Sequence, residues 1–433
     1  MVEESSVKTE TGPLSGVTVL ELGSFIAGPF AGQLLGDYGA NVIKVEPPRT
    51  GDPMRRWGVT RDGHSLWWPT IARNKQSICV DLHDQRGLDV IRRLALKSDI
   101  IIENFRPGRL EDWGLGFQKL NELNPRLIMV HVSGYGQDGP KAKSAGFGSI
   151  GEAVGGIRYT TGIPGHPSSR TGISLGDALA AVFAVIGALG ALVEVRQSGR
   201  GQEVDVAIYE AVAALMESTL ADLELGGVRR ERNGSILPGV APSNAYPTSD
   251  GVEVLIAGNA DSVFTRLCAV MERPDLATNE RFATHEARGR NMIELDDIIG
   301  AWTAQRQSET LVALLEENGV PAGMIFSAEE MLVDPHYLAR EMVQRHVSFQ
   351  GWNVPMSGVV PKFMRTPGEV RTTGPRLGAN TKEVLCGLGG LSDDEFSELE
   401  DAGVVAQGGT ATSIDNSKTT EVEPDDHEYR RLS

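Results

Sequence analysis

The sequence predicts an α/β protein built around a mostly parallel sheet. Two observations support this class. Short β-branched runs alternate with helical patterns over the first 210 residues, and the runs are apolar at consecutive positions, as strands buried on both faces are. At 433 residues the chain is also long enough for two or three domains. We therefore expect a Rossmann-like parallel sheet in a large domain, accompanied by a smaller α/β domain.

The predicted elements follow one another in a regular order. Buried strands are expected at 18–22, 41–45, 77–82, 99–103, 126–132 and 203–208, and helices at 29–39, 85–98 and 175–195. Gly39 and Gly199 are suitable helix stop signals. The apolar run from Ala178 to Val193 is shorter than the ~20 residues that a bilayer crossing needs, so it predicts a buried core helix and no membrane span.

The composition of the chain changes after the first sheet. Residues 233–250 are rich in Gly, Pro, Ser and Asn, which predicts a functional loop before a second unit whose first strand spans 252–258. The last stretch has six acids, three cations and few apolar residues. We assign 1–13 to an N-terminal arm, 14–208 to the first part of the large domain, 236–330 to the small domain, 356–405 to a return to the large domain, and 406–433 to a disordered acidic tail.

Charge and cysteine usage exclude several classes of protein. The formal net charge of −17 disfavours binding to nucleic acid or to an anionic membrane. Residues 41–75 nevertheless hold seven cations against three acids, either as an anion-binding region or as scattered solvated charges. Three distant cysteines form no disulfide framework or metal motif, and the polar start is unlike a signal peptide. These features predict a cytoplasmic protein.

Two residue patterns resemble cofactor or metal sites only superficially. The segment GYGQDG at 134–139 follows a strand and matches GxGxxG, but Pro140 and a polar stretch follow where a dinucleotide site needs a helix. No histidine has a second histidine at i+3 or i+4, so no metal site is predicted. His131, inside a predicted strand, is expected to be a hydrogen-bonded core residue.

Asp177 is the candidate catalytic residue. It lies where GISLGD meets the long apolar helix, so amide groups and the helix dipole would favour its ionised form, and an ionised, partly desolvated carboxylate is a usable nucleophile. Aspartate is equally a common helix cap. Position alone leaves both roles open.

Local sequences over residues 14–365 resemble the family III CoA-transferases, the group that includes formyl-CoA and carnitine CoA-transferases. The matching segments include LSGVTVLELGSFIAGPFAGQLLGDYGANVIKVEPP, ENFRPGRLEDWGLG, NPRLIMVHVSGYGQDGP, SLGDALAAVFAVIGAL and DPHYLAR. The resemblance implies that Asp177 is the nucleophile, forming an aspartyl anhydride and then an aspartyl-CoA thioester. It also implies a CoA thioester substrate and a carboxylic acid acceptor, with no metal and no tightly bound cofactor.

The resemblance also places CoA. It implies contacts from the loop after the first strand, from an edge that holds the pantetheine and adenine end, and from a third segment. These residues are Ser24, Phe25, Ile26 and Ala27, then Val80, Asp81, Leu82 and His83, then Asn104, Phe105 and Arg106. By charge, Arg73, Lys75 and Lys143 are candidate phosphate partners, although each could instead be a solvated surface cation.

Departures from the family pattern narrow the expected activity. Acyl-CoA racemases of this fold carry a His-Asp pair where this chain has Phe147 and Gly148, and formyl-transferring relatives carry an acid at the position of Gly148 and an arginine at that of Asp112. The segment GFGSIGEAVGG instead resembles members that use dicarboxylates. Arg170 is a candidate for the distal carboxylate, or else part of a structural ion pair.

The resemblance further implies an interlocked homodimer, with linkers at 209–235 and 331–355 that thread two chains together. Two other functions stay open from sequence: an acyl-CoA racemase or epimerase, and a non-catalytic CoA-binding protein.

Overall fold

The computed structural model describes residues 12–408, so most of the predicted N-terminal arm and acidic tail lies outside the described residues. The strands are β1 (Thr18–Glu21), β2 (Asn41–Glu46), β3 (Thr60–Arg61), β4 (His64–Ser65), β5 (Lys75–Val80), β6 (Ile100–Glu103), β7 (Ile128–Ser133), β8 (Glu203–Ala207), β9 (Ser243–Pro247), β10 (Glu253–Ala257), β11 (Ala322–Met324), β12 (Val343–Val347), β13 (Asn353–Ser357) and β14 (Val405–Ala406).

The same residues form α-helices and one short 3₁₀ turn, Pro53–Arg55. The helices are α1 (Ala27–Asp37), α2 (Trp68–Ile71), α3 (Gln85–Ala95), α4 (Arg109–Asp112), α5 (Phe117–Leu123), α6 (Gly148–Val154), α7 (Ile157–Thr160), α8 (Leu175–Ser198), α9 (Ile208–Ala213), α10 (Thr219–Glu224), α11 (Asp261–Val270), α12 (Pro274–Thr278), α13 (His285–Arg290), α14 (Met292–Thr303), α15 (Ser308–Glu317), α16 (Ala328–Val333), α17 (Pro335–Ala339), α18 (Thr381–Cys386) and α19 (Asp393–Asp401).

The large sheet has the order β14-β5-β2-β1-β6-β7-β8. All of its strand pairs are parallel except β14 with β5, which is antiparallel. The prediction of a mostly parallel α/β sheet is therefore confirmed. From β1 the chain moves to β2 and β5 on one side and later to β6, β7 and β8 on the other, so the order reverses between β1 and β6. Open α/β sheets bind ligands outside the carboxyl ends of their strands at such a reversal.

Each face of the large sheet is covered by its own apolar core. Val19 of β1 packs with α1 and α8 on one face, whereas the next residue, Leu20, packs with α3 on the other. Successive side chains of a strand point to opposite faces, so consecutive apolar residues are what a doubly covered strand requires. This double coverage explains why the strand positions could be predicted from β-branched runs.

The second unit forms a separate core around the antiparallel sheet β11-β10-β9 and helices α11 to α15. Arg288 is fully buried there, where it donates hydrogen bonds to the carbonyl oxygens of Ala241, Phe282 and Asn259. After the hairpin of β12 and β13, the chain returns to the large sheet through α18, α19 and β14. Ala406 lies in β14 and Gly408 donates to the Gly378 carbonyl, so the predicted start of the tail at 406 is wrong.

Helix α8 is only partly the buried helix that its sequence predicts. One face packs in the core through Ala180, Ala184 and Ala188, while Ile186 and Val193 on the other face are more than half exposed. By length and composition alone, α8 is also the one helix among residues 12–408 that could cross a membrane. The burial of one face explains the apolar residues on that face, whereas Ile186 and Val193 are exposed in the single chain.

Candidate active site

The loops that follow β1 and β6 are joined at the point where the strand order reverses. The backbone N–H of Ser24 donates to Asn104 Oδ1 at 2.9 Å, and Asn104 Nδ2 donates to the Ser24 carbonyl at 2.8 Å. Phe25 has a φ of 63° and its N–H donates to Asp52, in the loop after β2. Three loops at the carboxyl edge of the sheet are thereby fixed to one another.

A cavity of about 300 Å³ opens at this edge. Its lining combines the loops after β1, β2, β5 and β6 with Trp113, which follows α4. The predicted CoA contacts that line it are Ser24, Val80, Asp81, Leu82, His83 and Phe105. The other members of that prediction lie next to it: Asn104 orders the Ser24 loop, Phe25 and Ile26 lead into α1, Ala27 is its first residue, and Arg106 is exposed after Phe105. The structure thus brings these segments together.

The lining of the cavity suits a neutral ring better than a phosphate. It contains the acids Glu46, Asp52 and Asp81 but no arginine or lysine. Trp113 makes edge-to-face contacts with Phe105 and His83. The guanidinium of Arg109 lies 5.3 Å from the ring centre of Trp113, on an exposed side chain. A flat heterocycle can stack in such a cavity while its anionic substituents remain outside.

The structure contradicts the prediction that Arg73 and Lys75 bind phosphate. The Arg73 side chain is buried and pairs with Asp37 at 2.6 Å, while its third nitrogen donates to the Ser357 carbonyl. Lys75 is fully buried and pairs with Glu21 at 2.7 Å. Both cations are satisfied inside the protein, where a phosphate cannot reach them. Lys143, by contrast, is exposed, as its predicted role requires.

A buried ionic network lies directly behind the cavity. Lys44 Nζ contacts Glu21 at 2.9 Å and Asp52 at 2.7 Å, and it also donates to the Gly23 carbonyl. Glu46 pairs with Arg55. Burial lowers the pKa of Lys75 to about 8, against the opposing effect of Glu21. Four of the seven cations in 41–75 therefore serve the interior, and the solvated alternative is wrong for them as well.

Asp177 occupies the third position of α8 and does not cap the helix. Ser174 is the residue at the N-cap, and no side-chain capping bond is formed there. Within residues 12–408, no group donates a hydrogen bond to the Asp177 carboxylate. The Asp177 side chain is half-buried. The capping role that position alone left open is therefore not the one this aspartate has.

The Asp177 carboxylate lies against a glycine of α6. A Cβ placed on Gly148 would be 2.1 Å from Asp177 Oδ2, so a side chain at this position fits only if the carboxylate moves away. Burial raises the pKa of Asp177 to about 6, the carboxylate of Glu152 acts in the same direction, and Arg170 opposes both. The sequence predicted that the helix dipole would favour ionisation, but burial outweighs it.

Glu152 is a site residue that the sequence analysis missed. It is fully buried on α6, and its Oε1 accepts a hydrogen bond from the backbone N–H of Gly176 at 3.2 Å. Arg158 Nε lies 3.6 Å from its other oxygen. A glutamate inside the glycine-rich run GFGSIGEAVGG has no distinctive spacing, and the only available signal was an acid within an otherwise uncharged segment.

Two further predictions are confirmed by the structure. His131 is a buried core residue that lies between Glu103, at 2.6 Å, and Glu203, at 3.2 Å. The GYGQDG segment is followed by turns rather than a helix, because the next helix begins at Gly148. Its amide groups are used internally, with Gln137 N–H donating to Asp205. This segment lacks the helix that a dinucleotide site needs.

The cavity lies at the carboxyl edge of the sheet, near the switch point where open α/β sheets bind their ligands. The model of the CoA-transferase family III matches residues 14–381. The chain belongs to this family, and it is an enzyme of the CoA-transferase class.

Known proteins are similar to this chain in both sequence and structure. The chain is 54% identical to succinyl-CoA–D-citramalate CoA-transferase of Chloroflexus aurantiacus, over 90% of this chain and 97% of that protein. It is 35% identical to succinate–glutarate CoA-transferase of Agrobacterium fabrum, over 87% of this chain and 96% of that protein. A CAIB/BAIF family protein from Brucella suis superimposes with a TM-score of 0.77 at 32% identity, covering 87% of this chain and all of the other.

Proposed function

We propose that this CoA-transferase moves CoA from succinyl-CoA to a dicarboxylic acid, with Asp177 as the covalent carrier. The observation that supports this role is the state of the Asp177 carboxylate, which is half-buried, unpaired and raised in pKa to about 6. At neutral pH it is ionised yet poorly solvated, which favours nucleophilic attack. The names of the two relatives above supply the class of donor and acceptor.

The proposed reaction conserves the thioester energy in covalent intermediates. An oxygen of Asp177 attacks the thioester carbonyl, the C–S bond breaks, and CoA leaves as the thiolate. The thiolate then attacks the Asp177 carbonyl of the mixed anhydride, which releases succinate and leaves an aspartyl-CoA thioester. The acceptor carboxylate attacks that thioester, and the thiolate returns to the new acyl carbonyl. Asp177 is regenerated as a carboxylate.

In this proposal the cavity holds the adenine end of CoA. Trp113 and Phe105 provide aromatic surfaces for the base, and the absence of cations from the lining suits a neutral ring. Arg106 and Arg109 are exposed beside the cavity, where they can reach the phosphate of the ribose. Asp177 does not line the cavity, so the pantetheine arm has to cover the distance between them.

Arg170 is the proposed partner of the distal carboxylate of the substrate. It is exposed in the loop before α8, forms no ion pair with any residue of 12–408, and its charge acts on Asp177. An extended dicarboxylate that reacts at Asp177 carries its second carboxylate two or three carbons away. Because Arg170 has no ion-pair partner among residues 12–408, these residues do not support the alternative of a structural ion pair.

Replacing Arg170 tests this assignment. We expect Arg170→Gln to raise the KM for succinyl-CoA and for a dicarboxylate acceptor by about 10- to 100-fold, the value of a charge-assisted hydrogen bond. The KM for a monocarboxylyl-CoA should be unchanged. Arg200→Gln is the matched control, because it removes an exposed cation at the far end of α8. Equal losses for mono- and dicarboxylate substrates would contradict the assignment.

Chemical trapping tests the covalent carrier. Incubation with succinyl-CoA alone, followed by hydroxylamine or borohydride, should modify the peptide that contains Asp177 and no other. Asp177→Asn should give neither the modified peptide nor CoA transfer. A racemase would instead exchange the α-proton of a single thioester with deuterium, but neither Phe147 nor Gly148 can titrate. Transfer by the Asp177→Asn variant would overturn the proposal.

We also propose a homodimer located in the cytoplasm. Support for the dimer comes from the exposed apolar side chains of Val182, Ile186 and Val193 on α8, a surface that a second copy could cover. Support for the location comes from the cysteines, which are all unpaired thiols. Light scattering of the purified full chain measures the first property, and a monomer at micromolar concentration would exclude it.

A further inference from the structure

Glu152 is fixed beside the proposed carrier by contacts with the first turn of α8. Its Oε1 accepts from the N–H of Gly176, the residue that precedes Asp177. The two helices approach so closely here that a Cβ on Gly176 would lie 2.9 Å from the Gly148 carbonyl oxygen and 3.2 Å from Glu152 Cγ. The carboxyl group of Glu152 therefore has a defined position relative to Asp177.

The charge of Glu152 is only weakly compensated. Its Oε2 is buried and accepts no hydrogen bond from any group of residues 12–408. The nearest cation, Arg158, is 3.6 Å away on a partly exposed side chain. Burying a carboxylate with one hydrogen bond and one long ion pair costs folding free energy, and a glutamine would satisfy the same backbone N–H without that cost. Such a cost beside a reactive group is typical of a functional site.

We infer that Glu152 is a positioning residue, whose negative charge raises the reactivity of Asp177 by disfavouring its ionised resting state. When Asp177 attacks the thioester, its charge leaves with the CoA sulfur, and the anhydride and thioester that follow are neutral at Asp177. Repulsion from Glu152 is therefore present before the attack and relieved by it, which lowers the barrier. This inference rests on the proposed role of Asp177 as carrier.

The other charged groups around the first turn of α8 do not duplicate this effect. The positive charge of Arg170 acts on Asp177 in the opposite direction, and Arg158 partly compensates the charge of Glu152 at its other oxygen. On the remaining elements that pack against α8, the charged side chains are engaged elsewhere: Glu210 of α9 with Tyr209, His131 of β7 with Glu203 of β8, Asp205 of β8 with the Gln137 N–H, and Asp37 of α1 with Arg73. Glu152 is thus the carboxylate that acts on Asp177.

The test is the pKa of Asp177, measured directly by ¹³C NMR titration of aspartate-labelled protein, with Asp177→Asn to assign the signal. We expect Glu152→Gln to lower this pKa by about one unit, which is a tenfold change in the ionisation constant. The acid limb of the pH profile of kcat should shift downward equally, and kcat at neutral pH should fall about three- to tenfold while the KM for CoA thioesters is unchanged. Glu210→Gln, a control of the same size and charge change on α9, should alter neither quantity.

An unshifted or raised Asp177 pKa in Glu152→Gln would overturn the inference. If that variant does not fold, Glu152→Asp, which withdraws the carboxylate by one methylene, should lower the pKa by a smaller amount, and no change or a rise again refutes it. The NMR readout does not depend on turnover. Activity retained by Asp177→Asn would refute the carrier role of Asp177. An Asp177 pKa that is the same in wild type and in Glu152→Gln would refute only the role of Glu152.

Discussion

The substitution Gly148→Ala, which adds one methyl group, should lower the activity of this enzyme without lowering its stability. A Cβ on Gly148 would lie 2.1 Å from Asp177 Oδ2, 2.6 Å from Cγ and 3.0 Å from Oδ1. Ordinary contact begins at 3.4 Å, so in Gly148→Ala the carboxylate has to retreat by about 1.3 Å. A misplacement of about 1 Å can cost 10²-fold in rate, because the reacting atoms lose their near-attack geometry. We expect kcat to fall by about that factor.

The stability of Gly148→Ala should be unchanged or increased. Gly148 is the first residue of α6 and does not need a positive φ, and alanine in a helix is favoured over glycine by about 0.5–1 kcal/mol. Gly300→Ala in the middle of α14 is the matched control, since its Cβ would meet nothing closer than Tyr246 Cδ1 at 3.9 Å, an ordinary contact. Steady-state CoA transfer and urea unfolding measure both quantities. Wild-type kcat in Gly148→Ala would refute the reasoning that this contact places the carrier.

Three further outcomes follow from the buried charges and the cavity. Asp177→Asn should raise the free energy of unfolding at pH 7.5 by up to about 3 kcal/mol, because the unfolded carboxylate ionises near 3.8 and the folded one near 6. Wild-type stability thus falls as pH rises through that window, and urea titrations in which both proteins match at every pH would contradict this. Arg73→Met should cost about 3–5 kcal/mol, since it leaves Asp37 buried without its cation, and should leave the KM for CoA thioesters unchanged. If Arg73→Met instead raised the KM for CoA thioesters without any loss of stability, the result would favour a role of Arg73 in binding phosphate. Trp113→Ala should raise the KM for CoA thioesters about tenfold with kcat nearly constant, the effect of losing one stacking surface. An unaltered KM in Trp113→Ala would contradict the proposal that adenine binds in the cavity.

The large sheet could be predicted from sequence because its strands are covered on both faces. Runs such as 100–102 and 127–130 are apolar at every position, and each of the seven predicted strands matches an observed strand to within two residues at each end. The short or antiparallel strands β3, β4, β9, β11, β12 and β13 were not predicted. A return of residues 356–405 to the large domain was predicted, but the antiparallel pairing of β14 with β5 was not, since it depends on contacts between residues more than 300 positions apart.

Candidate site residues could be named from sequence where the signal is local, but not where their environment depends on distant partners. Asp177 became a candidate from its place at the start of an apolar helix, but its role as the nucleophile is implied by the family resemblance and stays a proposal. Arg73 and Lys75 could not be assigned correctly, because a cation in a basic segment gives no indication that Asp37 or Glu21 will bury it. The role of Gly148 depends on how closely α6 approaches α8, which no pattern within either helix specifies.

The ionic network around Lys44 has a consequence for how specificity can change in this family. Lys44 ties the end of β1 to the loop after β2, so two of the loops that line the proposed CoA cavity are held together from inside the protein. The loop that carries Arg170 is exposed from Ile163 to Ile173 and contributes to neither apolar core of the large sheet. With the proposed role of Arg170, substitutions in that loop alter which acid is accepted without disturbing the proposed CoA cavity. On the same proposal, a change of acceptor requires few compensating substitutions elsewhere in the chain.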